Sequence, residues 1–515
     1  MPSSDSSVPL DTACVPLSAA ECTYDLLVVG GGINGAGIAR DAAGRGLSVL
    51  LVEKEDLAQH TSSASTKLIH GGLRYLEYGE FRLVREALIE RERLLSMAPH
   101  IIWPLSFVLP QVNSPRPAWL VRLGLFLYDH LGGRKVLPAT RTIAKLDRDP
   151  RGNGLKSGAK AFVYSDCWVE DSRLVVLNAM DAETRGARIC TRTCLVSAER
   201  SDGLWTATIS DARGERKIRA RALVNAAGPW VADVITRVPD GRSDRGVRLI
   251  KGSHIVVPRL YEGDHAFLLQ NPDKRVVFAI PYQGEFTLVG TTDEAWHEAP
   301  GAAAISEGET RYLLDTVARY FTRPVGESDL VWSYAGIRPL YDDRASSASA
   351  VTRDYVLDLD AEDGRAPMLN IFGGKITTYR KLAEHAMEKL APLLSPQSRA
   401  WTSGAILPGG DMPEADFERF AATLIAQRPG LPAALLRRFA RAYGTRVATL
   451  LGDARDVAGL GHHFGGDLYA AEVDYLARHE WARTGHDVLF RRSKLGLKLD
   501  KSVESALDEH LAAWS

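Results

Sequence analysis

From Tyr24 onward, short apolar runs alternate with longer stretches of mixed apolar and charged residues. Asp25-Leu-Leu-Val-Val-Gly30 is an apolar run that ends in glycines, which predicts a buried parallel strand. The alanine-rich segment from Ile33 to Arg45 predicts a helix, and Ser48-Val-Leu-Leu-Val-Glu53 a second buried strand. Together they form a βαβ unit at the front of an α/β domain. The leucine and charge spacing from Phe81 to Met97 is helical. Pro99 to Pro138, rich in proline and aromatics, reads as a different layer or an excursion. Strand-like segments follow at Arg188–Arg200, Leu204–Ser210 and Lys217–Val224, and short strands fill Val247 to Asp293. Such alternation predicts an antiparallel sheet capping the α/β domain. Ala366–Phe372 is one more buried strand, followed by a helix from about Thr377 to Leu390. Beyond Pro396 the Leu, Ala and Arg spacing is helical to the end.

These patterns divide the chain three ways. Residues 1–22 read as a disordered extension, and 23–395 as a nucleotide-binding domain with interleaved cap segments at about 99–160 and 231–350. Residues 396–515 read as a helical C-terminal domain. Composition narrows the function classes. The 515 residues carry a formal net charge of −1, without the basic excess of a nucleic-acid binder. Five scattered cysteines without a CxxC pair predict no disulfide framework, metal site or iron–sulfur cluster. The first 22 residues lack the basic start and apolar core of a secretory signal, and no apolar run is long enough to span a membrane.

Gly30-Gly-Gly32-Ile-Asn34-Gly35 matches GxGxxG at the strand–helix turn. Gly30 permits the turn, Gly32 lets the backbone approach a pyrophosphate, and Gly35 lets the helix pack on the sheet. Glu53, at the end of the next strand, is spaced to accept hydrogen bonds from a ribose diol. NAD and FAD both use this fingerprint. Two later strand–glycine segments, Arg221-Ala-Leu-Val-Asn-Ala-Ala-Gly228 and Phe372-Gly-Gly374-Lys375-Ile-Thr377, spread the contacts widely and favour the longer FAD.

A second group of residues points to an anion. The hydroxyl run Thr61-Ser62-Ser-Ala-Ser65-Thr-Lys67 precedes Leu68-Ile-His70-Gly-Gly-Leu-Arg74-Tyr75. Hydroxyls and glycine amides beside Lys67 suit phosphate or a flavin edge. Arg338 follows a glycine and precedes a proline, and Lys375 stands where a helix is predicted to begin. Arg74, Arg338 and Lys375 would together neutralise a phosphate dianion. His254, in Lys251-Gly-Ser-His254, and His70 are the candidate bases.

Longer strings carry a family resemblance: Gly30–Ala39, Thr61–Ser65, Lys67–Leu76, Tyr164-Ser-Asp-Cys-Trp168, Arg248–Pro258, Gly290-Thr-Thr-Asp293 and Gly373–Leu382. On these residues the chain resembles the bacterial aerobic FAD-dependent sn-glycerol-3-phosphate dehydrogenases from Tyr24 to its end. The resemblance implies a Rossmann-type FAD domain of the glycine-oxidase and amino-acid-oxidase type, an antiparallel substrate domain and a helical C-terminal domain. It implies hydride transfer from C2 of sn-glycerol 3-phosphate to flavin N5, giving dihydroxyacetone phosphate, with electrons passed to a membrane quinone. It implies a homodimer held peripherally on the inner face of the cytoplasmic membrane. The FAD contacts implied are Gly30, Gly32, Asn34, Gly35, Glu53, Thr61, Ser62, Ser65, Lys67, Leu68, His70, Gly228, Gly374, Lys375 and Thr377. Arg74, Tyr75, His254, Arg338, Lys375 and Thr377 would line the substrate site, with His254 as leading base and His70 as runner-up.

Two readings compete. A glycerol-3-phosphate oxidase would pass its electrons to oxygen, and a non-enzymatic FAD-binding redox sensor would need no cationic pocket. For membrane contact, the aromatic Trp119–Tyr128 and the basic Leu489–Leu499 are the candidate segments.

Overall fold

The computed structural model describes residues 23–514 except 113, 159, 242, 244, 302, 343–353, 362 and 363. The predicted extension at 1–22 lies outside the described residues. Strand β1 (Thr23–Val29) leads through the glycine turn into helix α1 (Ile33–Gly44) and back to β2 (Val49–Val52), within two residues of the predicted bounds. β1 and β2 pair in parallel, Leu26 against Val49 and Val29 against Val52. Leu26 and Val28 enter one core, and Leu27 and Val29 enter another on the opposite face. Burial on both faces explains why the run has no polar alternation.

The chain then moves to a second sheet through β3 (Leu68–Ile69), α2 (Phe81–Met97), β4 (Ile102–Pro110), α3 (Ala118–Leu131), β5 (Arg141–Ile143) and β6 (Ala161–Val169). It returns through α4 (Asp171–Thr184) and β7 (Arg188–Cys190) to the ribbon β8 (Cys194–Ser201), β9 (Leu204–Asp211) and β10 (Gly214–Asn225), then α5 (Val231–Thr236). The second sheet resumes with β11 (Val247–Pro258), β12 (Ala266–Gln270), β13 (Val276–Tyr282), β14 (Phe286–Gly290), β15 (Glu294–Ala295), α6 (Glu307–Tyr320) and β16 (Trp332–Tyr341). β17 (Val356–Asp360), β18 (Met368–Phe372) and α7 (Tyr379–Leu394) complete the first.

The nucleotide sheet runs β17-β18-β10-β1-β2-β7, with β8 and β9 attached through β10, and α1, α4 and α7 share one core beneath it. The cap sheet runs β15-β11-β14-β13-β12-β4-β6-β3, with β16 on β11 and β5 on β6. It is antiparallel except where β12 meets β4. The proline-rich stretch is therefore a cap strand and a covering helix, and its prolines Pro104 and Pro110 stand in β4.

The predicted boundaries need adjustment. β6 pairs with β4 over Ile102–Pro110 and β3 pairs with β6, so the cap includes 161–169 and 68–69. α5 belongs to the nucleotide domain, where Val234 joins the core under β8–β10. The second cap segment thus begins at Val247 rather than 231, and residues 343–350 lie outside the described residues. β7–β10, grouped by pattern with the cap strands, extend the nucleotide sheet. Cys190 is disulfide-bonded, which the cysteine spacing did not signal.

The C-terminal domain is helical, with α8 (Phe417–Gln427), α9 (Ala433–Tyr443), α10 (Val447–Leu451), α11 (Ala470–His479) and α12 (Ser502–Leu511) around their own core. One tight hairpin, β19 (His463–Gly465) with β20 (Leu468–Tyr469), interrupts them. The basic Leu489–Leu499 is not a surface helix. Its π-helical turn Asp487–Arg492 buries Arg491 and Arg492. Asp56 binds Arg491 Nε at 2.6 Å and both terminal nitrogens of Arg492 at 2.8 Å. Ser172 Oγ donates to the Arg491 carbonyl at 2.6 Å. Those contacts tie the domain to the loop after β2 and to α4.

Candidate active site

The glycine turn is set by backbone geometry. Gly30 donates to the Val52 carbonyl at 2.9 Å, and its φ of +114° is open to glycine. A Cβ on Gly35 would stand 1.9 Å from the Gly30 carbonyl oxygen, so Gly35 serves close packing. It does not line the cavity. Glu53 holds the turn: its Oε2 accepts from the Gly31 amide at 2.6 Å and its Oε1 from Glu55 at 2.9 Å. Burial pushes its pKa up against those two hydrogen bonds. The N-terminus of α1 has no side-chain cap from Gly32; Ser62 Oγ, from the hydroxyl loop, accepts from Ile33 at 3.0 Å.

A cavity of about 730 Å³ starts at this turn. Gly30, Gly32, Asn34, Glu53 and Gly228 line it, together with His70, Arg74, Tyr75, Phe278, Arg338, Lys375 and Thr377. Asn34 Nδ2 donates to Gly373 O at 3.2 Å, which joins the first and last glycine turns across the cavity wall, and its Oδ1 is buried without a hydrogen-bond partner. Gly374, at φ +100°, leaves room that a Cβ would take from Asn34 Nδ2, 2.9 Å away. A groove with a glycine cradle at a helix N-terminus and a buried Asn34 amide oxygen without a hydrogen-bond partner among the described residues fits an extended dinucleotide such as FAD.

The hydroxyl loop is organised differently from its sequence pattern. Lys67 does not line the cavity. It is fully buried, and its Nζ binds Asp171 at 2.8 and 2.9 Å and the Ser63 carbonyl at 3.1 Å. Ser65 Oγ donates to the same Asp171 at 2.7 Å, and Thr61 Oγ1 to the Ile337 carbonyl at 2.6 Å. Lys67 and these hydroxyls fold the loop, so Lys67 is withdrawn as a cofactor contact. Thr61, Ser62, Ser65 and Leu68 do line the cavity.

The distant cations Arg74, Arg338 and Lys375 all line the one cavity. Register places Arg338 of β16 opposite Ile250 and Gly336 opposite Gly252 of β11. A Cβ on Gly252 would come within 2.2 Å of Arg338 Nη2, so the glycine of Lys251-Gly-Ser-His makes space for the guanidinium. Arg338 pairs with Asp293 and donates to Thr291 Oγ1 at 2.8 Å. Lys375 Nζ sits 3.8 Å above the Tyr75 ring, in the turn before α7. Arg74 Nε is buried without a hydrogen-bond partner among the described residues. Thr377 Oγ1 accepts from the His70 amide at 3.3 Å.

The two histidines differ in reach. His254 is buried behind the cavity wall: its Nε2 meets Thr66 Oγ1 at 2.9 Å and its ring stacks on Tyr334. Only Thr66 lines the cavity. His254 thus lacks the direct reach that a general base needs, and burial holds its pKa well below 6.5. His70 lines the cavity itself. Burial, then Lys375 and Arg91, lower its pKa to about 4, so its ring is unprotonated at neutral pH. Sequence reasoning missed Gln270, Arg116, Arg275 and Phe278, which also line the cavity; neither spacing nor motif marks them.

Comparison with known proteins decides the family. Residues 25–380 match the model described as FAD dependent oxidoreductase, and 400–513 the C-terminal domain of alpha-glycerophosphate oxidase. The chain is 55% identical over 489 residues to a glycerol-3-phosphate dehydrogenase of Pseudomonas aeruginosa, covering 95% of each chain. It is 50% identical over 496 residues to the aerobic glycerol-3-phosphate dehydrogenase of Escherichia coli, covering 96% of this chain and 98% of the relative. The chain belongs to the FAD-dependent glycerol-3-phosphate dehydrogenase family. A family relative, the D-erythritol 1-phosphate dehydrogenase of Brucella abortus, is 56% identical over 490 residues, covering 95% and 97%. A glycerol-3-phosphate dehydrogenase of Bacillus halodurans solved with FAD superposes with a TM-score of 0.74 at 25% identity, covering 97% of this chain and 96% of that one. FAD is accordingly the cofactor of this glycerol-3-phosphate dehydrogenase family member, and its fold is that of the amino-acid oxidases. Among the described residues, no helix is long and apolar enough to cross a membrane.

Proposed function

We propose that the chain oxidises sn-glycerol 3-phosphate at C2 to dihydroxyacetone phosphate. The observation that carries this reading is that Arg74, Arg338, Lys375 and His70, from separate segments, all line the cavity that the glycine turn also lines. FAD, when bound, supplies the hydride acceptor at N5. Gly30, Gly32, Asn34 and Gly228 would hold it along the groove, and Glu53 would meet its ribose. Arg74 and Arg338 bind the phosphate dianion, with Arg74 contributing an unused Nε. Lys375 stabilises negative charge beside the reacting centre. His70 takes the C2 hydroxyl proton, and His254 orients Thr66 from behind.

A four-carbon polyol phosphate is the second reading, favoured by the Brucella relative's identity. Electrons then leave to a membrane quinone. Support comes from the outer face of α3, where Trp119, Leu123 and Phe126 are exposed and Leu120 and Leu123 also line the cavity mouth. That face suits a peripheral membrane contact. A homodimer accompanies this reading.

The test is anaerobic mixing of the yellow holoenzyme with sn-glycerol 3-phosphate or D-erythritol 1-phosphate. Bleaching of the flavin band within the mixing experiment is expected, and the ratio of kcat/KM names the preferred chain length. A flavin that stays oxidised with both would overturn the enzyme reading in favour of a redox sensor. Stoichiometric peroxide in air, with no quinone reduction, would replace the dehydrogenase with an oxidase.

A further inference from the structure

Asp166 lies in the Tyr164-Ser-Asp-Cys-Trp168 string of β6 and does not line the cavity. Its carboxylate is nevertheless heavily used. Tyr128 Oη, from α3, donates to Oδ1 at 2.8 Å and lies 2.9 Å from Oδ2. Arg91 Nη1, from α2, donates to Oδ1 at 2.7 Å and to the Ser165 carbonyl at 3.0 Å. All three side chains are buried. The remaining lone pair of the Tyr128 oxygen accepts the Gly71 amide at 2.7 Å. Gly71 follows His70 directly and precedes Arg74 and Tyr75 by a tight turn in which Gly72 has φ +78°.

The surroundings leave Gly71 little freedom. A Cβ on it would stand 2.7 Å from Leu88 Cδ2 and 2.8 Å from Tyr128 Cε2. The amide is therefore pressed against the phenol, and the phenol is aimed by a carboxylate that α2 neutralises. Burial raises the Tyr128 pKa well above 10, so the phenol keeps its proton and donates.

We propose that Asp166 and Tyr128 are positioning residues of the substrate site, which hold His70 and Arg74 against the cavity through the Gly71 amide. The proposal rests on the reading of His70 and Arg74 above. Neither Asp166 nor Tyr128 needs to touch substrate. A buried amide that loses its acceptor would pull the loop toward another partner, and the two functional side chains move with it.

Tyr128→Phe keeps the ring and removes only the oxygen. In FAD-loaded protein, KM for sn-glycerol 3-phosphate is expected to rise roughly three- to thirtyfold, the scale of one lost buried hydrogen bond. The maximal rate of flavin reduction should fall as well, with FAD content unchanged. Hydrogen exchange in a peptide spanning 68–80, measured without substrate, should quicken at least severalfold. Asp166→Asn should move the same readouts in the same direction, and it supplies them if the first variant does not accumulate. The double variant should cost less than the product of the two singles, since both act on one amide. A lower Tm with KM, reduction rate and loop exchange all within twofold of wild type would reduce the pair to ordinary core support and overturn the proposal. If the wild type is inert toward both polyol phosphates while loop exchange still quickens in Tyr128→Phe, the functional reading falls and the positioning of the loop stands.

Discussion

At Gly32 the backbone is ordinary, with φ −81°, and the Cβ of another residue would meet Ser62 Oγ at 3.2 Å. Gly32→Val should therefore fold yet fill the space that a pyrophosphate requires. The purified variant is expected to be colourless; yellow protein with one FAD per chain would remove the nucleotide-site assignment. Arg74→Ala should retain FAD and lose about 1.5–3 kcal/mol of transition-state binding, roughly ten- to a hundredfold in kcat/KM. Unchanged kinetics would take Arg74 out of the phosphate site. His70 carries a pH prediction. Its pKa in the fold is about 4, so the neutral base persists down to that pH and the acidic limb of flavin reduction belongs near 4, not 6.5. His70→Asn should slow reduction by roughly a hundred- to ten-thousandfold and abolish that limb. His254→Asn should do less, and a larger effect there would restore His254 as the base. The sequence marked both histidines but not which of them lines the cavity. His254 stands on a strand buried on both sides, where alternation says nothing about which face meets the cavity.

Elements differ in how far local pattern reveals them. α2 has its predicted bounds because Leu83, Val84, Ala87, Leu88, Leu94 and Leu95 form one buried stripe opposite charge. Leu489–Leu499 misled because Arg491 and Arg492 turn inward to Asp56, 435 and 436 residues away, beside the local Asp487–Arg491 pair. No local window contains Asp56. Lys67 misled in the same way through Asp171. The π-helical turn yields a prediction at this scale. Arg492→Ala removes one of the two cations on buried Asp56 and should cost about 1.5–3 kcal/mol in unfolding free energy. Because Asp56 begins the loop that lines the cofactor groove, FAD should also dissociate faster. Urea midpoints and flavin release equal to wild type would show that the cluster carries no such load.

Across the whole molecule, buried neutral histidines make stability depend on acid. His100 is buried with neither ring nitrogen hydrogen-bonded among the described residues, and burial with Arg173 and Arg441 lowers its pKa to about 3. Between pH 6.5 and 3 the unfolded chain binds this proton and the folded chain does not. Its contribution is therefore complete above about 6.5 and is lost as pH falls toward 3. His100→Met should lose about 2 kcal/mol less than wild type between pH 7 and 5. Parallel urea curves for the two proteins at both pH values would refute this linkage. The division into nucleotide, cap and helical parts was legible because each has its own period of apolar residues. The cap's edges were not, since β3 and β6 are drawn into the second sheet by long-range pairing alone.

The parallel neighbours of β10 carry a consequence for biosynthesis. β1 leaves the ribosome early but pairs with β10, and β10 in turn waits for β18, Leu223 against Met368. Translation at roughly 5–20 residues per second separates the first strand from the last by about 20–70 s. Throughout that interval the nascent chain exposes apolar strands and has an unfinished cofactor groove, because Gly374 and Thr377 are still to come. Flavin loading is thus a late step of synthesis, and the growing chain needs shielding until its final parallel strand arrives.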